Sequence, residues 1–140
     1  MSDYPIIKAV TFNRYKFPLE NMLPHTLSWI FEPSAKSVVN AISIKLDTNL
    51  GIAGEYFSIA PGTYDQMRSI ARILIGKNGL DREQFYNQAK VILRKQDKMG
   101  IGPIDIALWD VISKNAGLPL YKYLGEYHEN TVPAYASGGY

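Results

Sequence analysis

The chain has 140 residues, a formal net charge of +2, 46% apolar residues and 20% charged residues, a composition typical of one globular domain with its own core. Acidic and basic residues are interspersed, which argues against a nucleic-acid or membrane-surface partner. The absence of cysteine excludes disulfides and thiolate metal sites. No signal-peptide pattern and no apolar run of roughly 20 residues are present, so we expect a cytoplasmic protein.

Three segments in the first half of the chain have the character of β-strands. Ile6–Phe17 is rich in β-favouring residues and ends at Pro18. Ser37–Asp47 alternates between apolar and polar side chains, as half-buried strands do. A short turn then leads into Ile52–Ile59. The sequence therefore predicts a first strand followed by a β-hairpin.

A long loop, Leu19–Lys36, separates the first two strands. It has no steady period but carries His25, Trp29 and Phe31. Loops of this length without regular structure are uncommon and are often functional. Two interpretations stay open, because these aromatic side chains could contact a ligand or pack on the domain's own core. A single histidine is more often structural than catalytic.

Two amphipathic helices follow the strands. Thr63 with Gln66, and Asp81 with Gln84, have the spacing of N-terminal capping boxes. The apolar stripes are Met67, Ile70, Ala71 and Leu74 in the first helix, and Phe85, Ala89 and Ile92 in the second. The basic residues at the end of the second helix are Arg94, Lys95 and Lys98. The helix dipole favours cations there, so this cluster needs no nucleic-acid partner.

The stretch from Met99 to Gly125 predicts a central helix with a defined start and end. Pro103 suits the first helical position, and Gly117 and Pro119 end the helix. Apolar residues surround it on nearly all sides, which predicts burial on several sides. Replacing Leu108 with alanine should therefore cost about 2–5 kcal/mol.

Two acidic residues on this helix, Asp105 and Asp110, invite a catalytic or metal-binding interpretation. They are five residues apart in the sequence, which places them about 140° apart around a helix, too far to share a ligand. We expect each carboxylate to have a structural hydrogen-bond or ionic partner. Because strands precede helices rather than alternate with them, the predicted class is α+β.

A motif runs through the central helix, its end and the turn that follows. It comprises Ile104–Asp110, Lys114, Gly117–Tyr121 and Leu124–Gly125. This motif resembles the enolase superfamily, in the branch of mandelate racemase and muconate lactonising enzyme. The resemblance implies that residues 1–125 form the N-terminal α+β capping domain, a three-stranded antiparallel meander followed by helices. Residues 126–140 would be a linker and, over Thr131–Gly139, the first strand of a truncated TIM-type barrel.

The resemblance also implies a chemistry, although none of its reacting groups can be placed in this chain. Family members bind Mg²⁺ through three carboxylates on later barrel strands, and a lysine or histidine removes the proton beside the substrate carboxylate. We therefore assign no catalytic residue, no metal ligand and no cofactor to residues 1–140. The expected role of the chain is a lid that sequesters and selects a small carboxylate substrate, such as a sugar acid, for dehydration, racemisation or epimerisation.

The substrate-contact candidates under this resemblance lie in the loop, on the third strand and at the chain end. They are His25, Trp29, Glu55, Tyr56 and Ser137, with Phe57 as a further candidate. The chain's own barrel and a homo-oligomer are the expected protein partners. An alternative is a non-catalytic module that binds a partner through the apolar central helix. Nucleotide binding is disfavoured, because no phosphate-loop pattern is present.

Overall fold

The computed structural model describes residues 3–18, 38–125 and 133–136. A three-stranded antiparallel sheet in the order β1-β2-β3 is followed by helices, which confirms the predicted α+β class. The strands are β1 (Ile7–Pro18), β2 (Val38–Thr48) and β3 (Ala53–Ser58). Their bounds agree with the predicted strands to within one or two residues.

The helices follow in sequence order. They are α1 (Tyr64–Ala71), α2 (Arg82–Ile92), α3 (Ile101–Asn115) and α4 (Leu120–Tyr123). A short 3₁₀ segment, Pro61–Thr63, precedes α1, and another, Arg72–Leu74, continues it. The central helix predicted from the sequence is α3. Among the described residues, no helix has both the length and the apolar character that crossing a membrane requires.

The core lies between the inner face of the sheet and the helices. Its fully buried members include Ile44 and Leu46 of β2 and Leu108 of α3. Helix α3 crosses β3 at Gly54, where an added Cβ would lie 2.1 Å from the backbone oxygen of Ala107. Only glycine therefore allows this approach of helix to strand.

The burial predicted for α3 is confirmed for most of its surface. Ile104, Ala107, Leu108 and Val111 are fully buried, whereas Ile106 is 40% exposed. The helix begins at Ile101, so Pro103 is its third residue and not its first as predicted. A proline is tolerated there because the N–H groups of the first turn have no intrahelical acceptor.

Both predicted capping boxes are wrong, because neither Thr63 nor Asp81 forms a side-chain cap hydrogen bond. The Thr63 hydroxyl donates instead to the backbone oxygen of Ala60 at 2.6 Å. The Gln66 side-chain oxygen accepts from the backbone N–H of Gly100 at 2.8 Å. Tertiary partners therefore replace the local ones that the spacing suggested.

One further prediction on the helices differs from the structure, and the predicted barrel strand at the chain end stays a prediction. Ile92 is 43% exposed, while its neighbour Leu93 is fully buried. The buried stripe of α2 thus continues from Ala89 by four residues rather than three. Of the predicted barrel strand, only residues 133–136 are described, and they are not in a strand. The rest of that segment lies outside the described residues.

Candidate functional site

The candidate site lies at one end of the sheet. The last residue of β1, Pro18, pairs with the first residue of β2, Val38, and the last residue of β3, Ser58, pairs with Ile42 of β2. The predicted loop Leu19–Lys36, which we call the lid loop, and the segment after β3 therefore begin at the same end of the sheet, which we call the site end. Three of the predicted contact residues lie outside the described residues: His25, Trp29 and Ser137.

The two predicted site residues on β3 occupy opposite faces of the sheet. Tyr56 faces inward, pairs with Ile44 and packs against the core half-buried. Glu55 is exposed on the outer face and pairs with Lys45. Successive residues of a strand point to opposite faces, so the structure does not bring these two side chains together.

Two charged side chains of β2, Lys45 and Asp47, lie near Glu55 on the outer face. Lys45 forms a 2.9 Å ion pair with Asp47 on the same strand. The hydrogen bond and charge of Asp47, with a smaller contribution from Glu55, raise the pKa of Lys45. All these side chains are solvent-exposed, so the pairs contribute little to stability. They leave Glu55 as a solvent-facing carboxylate next to a paired lysine.

An aromatic cluster lies on the outer face nearer the site end of the sheet. The ring centroids of Tyr15 and Phe57 are 5.9 Å apart, and those of Tyr15 and Phe17 are 6.2 Å apart. All three side chains are exposed. Phe57 was a predicted candidate, but the two β1 residues were not. Their i, i+2 spacing on a strand was the signal that could have indicated a shared face.

The two acids of α3 have structural partners, as predicted. Asp105 accepts a 2.9 Å hydrogen bond from Arg82, whose guanidinium lies 4.7 Å from the ring centroid of Trp109. The hydrogen bond from Arg82 to Asp105 raises the pKa of Arg82 further above its ordinary value. Arg82 also pairs with Glu83. These contacts join α2 to α3 and account for Asp105 without a catalytic role.

Asp110 provides a hydrogen-bond acceptor for a backbone N–H group on the free edge of β3. Its carboxylate accepts the backbone N–H of Glu55 at 2.9 Å and the ammonium of Lys114 at 2.7 Å. Lys114 also donates to the backbone oxygen of Ala53 at 2.8 Å. The outer edge of β3 is therefore paired with α3 side chains.

The part of the chain that the structure describes does not fit a resident metal. Within it, no group of three His, Asp or Glu side chains could hold a metal ion. The basic residues after α2, Arg94, Lys95 and Lys98, are exposed and follow the helix C-terminus, as predicted.

Known proteins that resemble this chain in sequence include several sugar-acid dehydratases. L-talarate/galactarate dehydratase of Salmonella typhimurium is 40% identical over 85 residues, which is 56% of this chain and 21% of that protein. Arabinonate dehydratase of Saccharolobus solfataricus is 49% identical over 116 residues, which is 76% of this chain and 31% of that protein. No known protein-family profile matches the chain. The chain thus spans less than a third of the length of these relatives.

Solved structures give the same result for the fold. The Salmonella L-talarate/galactarate dehydratase superposes with a TM-score of 0.73 and 27% identity over 92% of this chain and 35% of that one. L-talarate dehydratase from Polaromonas sp. JS666, complexed with Mg and L-glucarate, has a TM-score of 0.71 and 26% identity over 87% of this chain and 35% of that one.

The fold is that of an enolase-superfamily N-terminal capping domain, of the mandelate racemase and muconate lactonising enzyme type. The homologues and structural neighbours of the chain are sugar-acid dehydratases and related proteins of this superfamily, and the chain corresponds to their N-terminal part. The resemblance predicted from the α3 motif is confirmed. None of the comparisons favours the alternative of a separate interaction module.

Proposed function

We propose that this chain is the capping domain of a longer Mg²⁺-dependent enzyme that dehydrates a sugar acid. The observation that carries the proposal is the match to two sugar-acid dehydratases in sequence, together with a TM-score of 0.73 over 92% of the chain for one of them. These relatives are nearly three times as long as this chain, which leaves room for a barrel. We therefore place the capping domain at residues 1–125 and the linker and first barrel strand at 126–140.

The chemistry of the proposal divides between the two parts of the enzyme. When bound in the barrel, Mg²⁺ would stabilise the negative charge that develops as the proton beside the substrate carboxylate is removed. Loss of the neighbouring hydroxyl as water would then give an enol, which would tautomerise to a keto acid. The described residues hold no metal-binding group, so these steps belong to residues outside them.

The capping domain contributes exclusion of water and choice of substrate. The position of the site end of the sheet supports this role, since the predicted lid loop and the segment after β3 both start there. His25, Trp29, Glu55, Tyr56 and Ser137 stay predicted substrate contacts. A cytoplasmic location, a homo-oligomer and the absence of nucleic-acid and membrane partners stay predictions from the sequence.

The exposed apolar side chains around α4 support a larger protein. They include Leu118, Tyr121 and Leu124, and Trp109 and Tyr123 pack edge to face beside them with ring centroids 6.1 Å apart. Apolar patches rimmed by polar residues mark interaction surfaces. We propose that the barrel of the same chain covers this surface.

The experiment begins with the intact mass of the protein as its own cell makes it. A chain longer by roughly 250 residues is expected, the usual size of such a barrel. That protein is then incubated in D₂O with Mg²⁺ and with galactarate, arabinonate and related acids, and the products are followed by NMR. A dehydratase gives a keto acid, and activity is lost with EDTA.

The same spectra separate the two reaction types. Incorporation of deuterium beside the carboxylate without a keto product would indicate an epimerase or racemase instead. A native mass near 15.8 kDa, or no exchange and no product with any acid, would contradict the enzyme proposal.

A further inference from the structure

Three cationic side chains lie on or beside the inner face of the sheet, close to its site end. Phe12 of β1 packs edge to face on Tyr64 of α1, with ring centroids 6.0 Å apart. Arg14 and Lys16 follow Phe12 at i+2 and i+4, so they lie on the same face of β1. Arg68 lies one turn after Tyr64 on α1. We call Arg14, Lys16 and Arg68 the cation cluster.

A single aromatic ring holds the two guanidinium groups of this cluster. The Arg14 guanidinium carbon lies 4.9 Å from the centroid of the Tyr64 ring, and that of Arg68 lies 5.7 Å from it. Such contacts hold a guanidinium in place and leave its charge uncompensated. The hydrogen-bond donors of both side chains therefore stay available to a ligand.

No carboxylate of the described residues neutralises the cation cluster. The ion pairs of that part of the chain involve other cations, and Asp65, next to Tyr64, pairs with none of the three. Arg82, by contrast, is paired with both Asp105 and Glu83. Concentrated charge of one sign without a partner attracts an ion of the opposite sign.

A cleft of about 660 Å³ opens beside the cluster. Among the described residues its polar lining comes from Arg14, Tyr15, Lys16 and Asn40, and Asn40 pairs directly with Lys16 in the register of β1 and β2. Arg68 lies outside this lining and is linked to it through the Tyr64 ring that it shares with Arg14. This volume lies within the range of small-molecule sites, about 300–1,000 Å³. The cleft therefore combines space for a sugar acid with positive charge and an amide that can bind hydroxyl groups.

We propose that Arg14, Lys16 and Asn40, with the positive charge of Arg68 beside them, form a binding site for the carboxylate group of a sugar acid. Guanidinium groups match the two oxygens of a carboxylate, and their charge-assisted hydrogen bonds are stronger than neutral ones. A dicarboxylate such as L-glucarate, the ligand of the Polaromonas neighbour, has a second carboxylate that such a site could bind. The choice of a sugar acid, rather than another oxyanion, rests on the proposed function.

The test titrates the 140-residue chain with galactarate and follows the side-chain N–H resonances of its arginines by NMR. Galactitol, which lacks the carboxylates, and inorganic phosphate are the comparison ligands, all at constant ionic strength. We expect saturable shifts of the Arg14 resonances with galactarate, none with galactitol, and weaker binding of phosphate. No saturable shift with galactarate would overturn the proposal, and phosphate binding as tight as galactarate would overturn the assignment to a carboxylate.

Variants assign the site to its residues. Arg14→Met and Lys16→Met should each weaken galactarate binding about tenfold, the effect of losing one charge-assisted hydrogen bond. Lys16 contacts no aromatic ring among the described residues, so its variant remains informative if Arg14→Met perturbs the fold. The matched control is Arg94→Met, which removes an exposed arginine after α2 and should leave binding unchanged. Equal losses in the control and the cluster variants would contradict the assignment. The titration measures binding and not turnover, so it can succeed where the dehydration assay fails.

Discussion

Replacing Leu108 with alanine tests whether α3 is the buried centre of the domain. The side chain is fully buried in the core formed by the sheet and helices. The change deletes three carbon atoms at a site with no solvent contact. It introduces no polar group and uses a good helix former, so the loss reports on packing alone.

The expected loss follows from two terms. Each buried carbon group contributes about 0.8 kcal/mol, so three contribute about 2.4 kcal/mol. The cavity left behind adds to this wherever the neighbours cannot collapse, which gives about 2–5 kcal/mol in total. At a urea slope of about 1–3 kcal/mol per molar, a loss of that size moves the unfolding midpoint by about 1 M or more.

The assay is urea unfolding of the parent chain and the variant, followed by circular dichroism. The matched control is Ile106→Ala on the same helix, because Ile106 is 40% exposed and should lose less than about 1 kcal/mol. A loss below 1 kcal/mol for Leu108→Ala, or equal losses for both variants, would refute the assignment of the buried face.

Two further changes test contacts between elements. Gly54→Ala should cost about 3 kcal/mol or more, since the new methyl would lie 2.1 Å from the Ala107 oxygen. The control is Gly62→Ala, which has open space around it and should leave the urea midpoint nearly unchanged. Similar urea midpoints for the two variants would contradict the close crossing of α3 and β3. Hydrogen bonds from Gln66 and then from a backbone N–H lower the pKa of Asp97, so its contribution to stability is present above about pH 4 and is lost as the pH falls through the lowered value. Gln66→Met should therefore raise the Asp97 pKa measured by carboxyl NMR and flatten the acid limb of the stability curve, and an unchanged pKa would show that Gln66 is not the cause.

The strands were predictable because their signal is local. The alternation of Ile42, Ile44 and Leu46 with polar residues fixes which side faces the core, and the structure buries all three. Periodicity could not decide between Ile92 and Leu93, since both are apolar and adjacent. The packing angle of α2 against the core decides it, and that angle depends on residues far away in the sequence.

The capping boxes failed for the same reason. The Thr63 and Gln66 spacing is a local pattern, but the amide of Gln66 bonds Asp97 and Gly100, which are more than thirty positions later. The cation cluster was equally beyond sequence reasoning. Arg14 and Arg68 are separated by two strands, and only the packing of α1 against β1 brings them to one tyrosine ring.

Helix α3 fixes the position of β3, because its side chains cover the outer edge of that strand. An edge strand presents unpaired N–H and C=O groups, which pair readily with other chains. Asp110 and Lys114 of α3 bond these groups at Glu55 and Ala53, and Gly54 lets the helix approach closely enough to do so. These contacts hold the first residues of β3, and the register of β2 and β3 then places Ser58, the last residue of β3, beside Ile42 of β2. The lid loop and the segment after β3 start at the other end of the sheet from these α3 contacts, so the strand register, and not α3 alone, sets where the two segments leave the sheet.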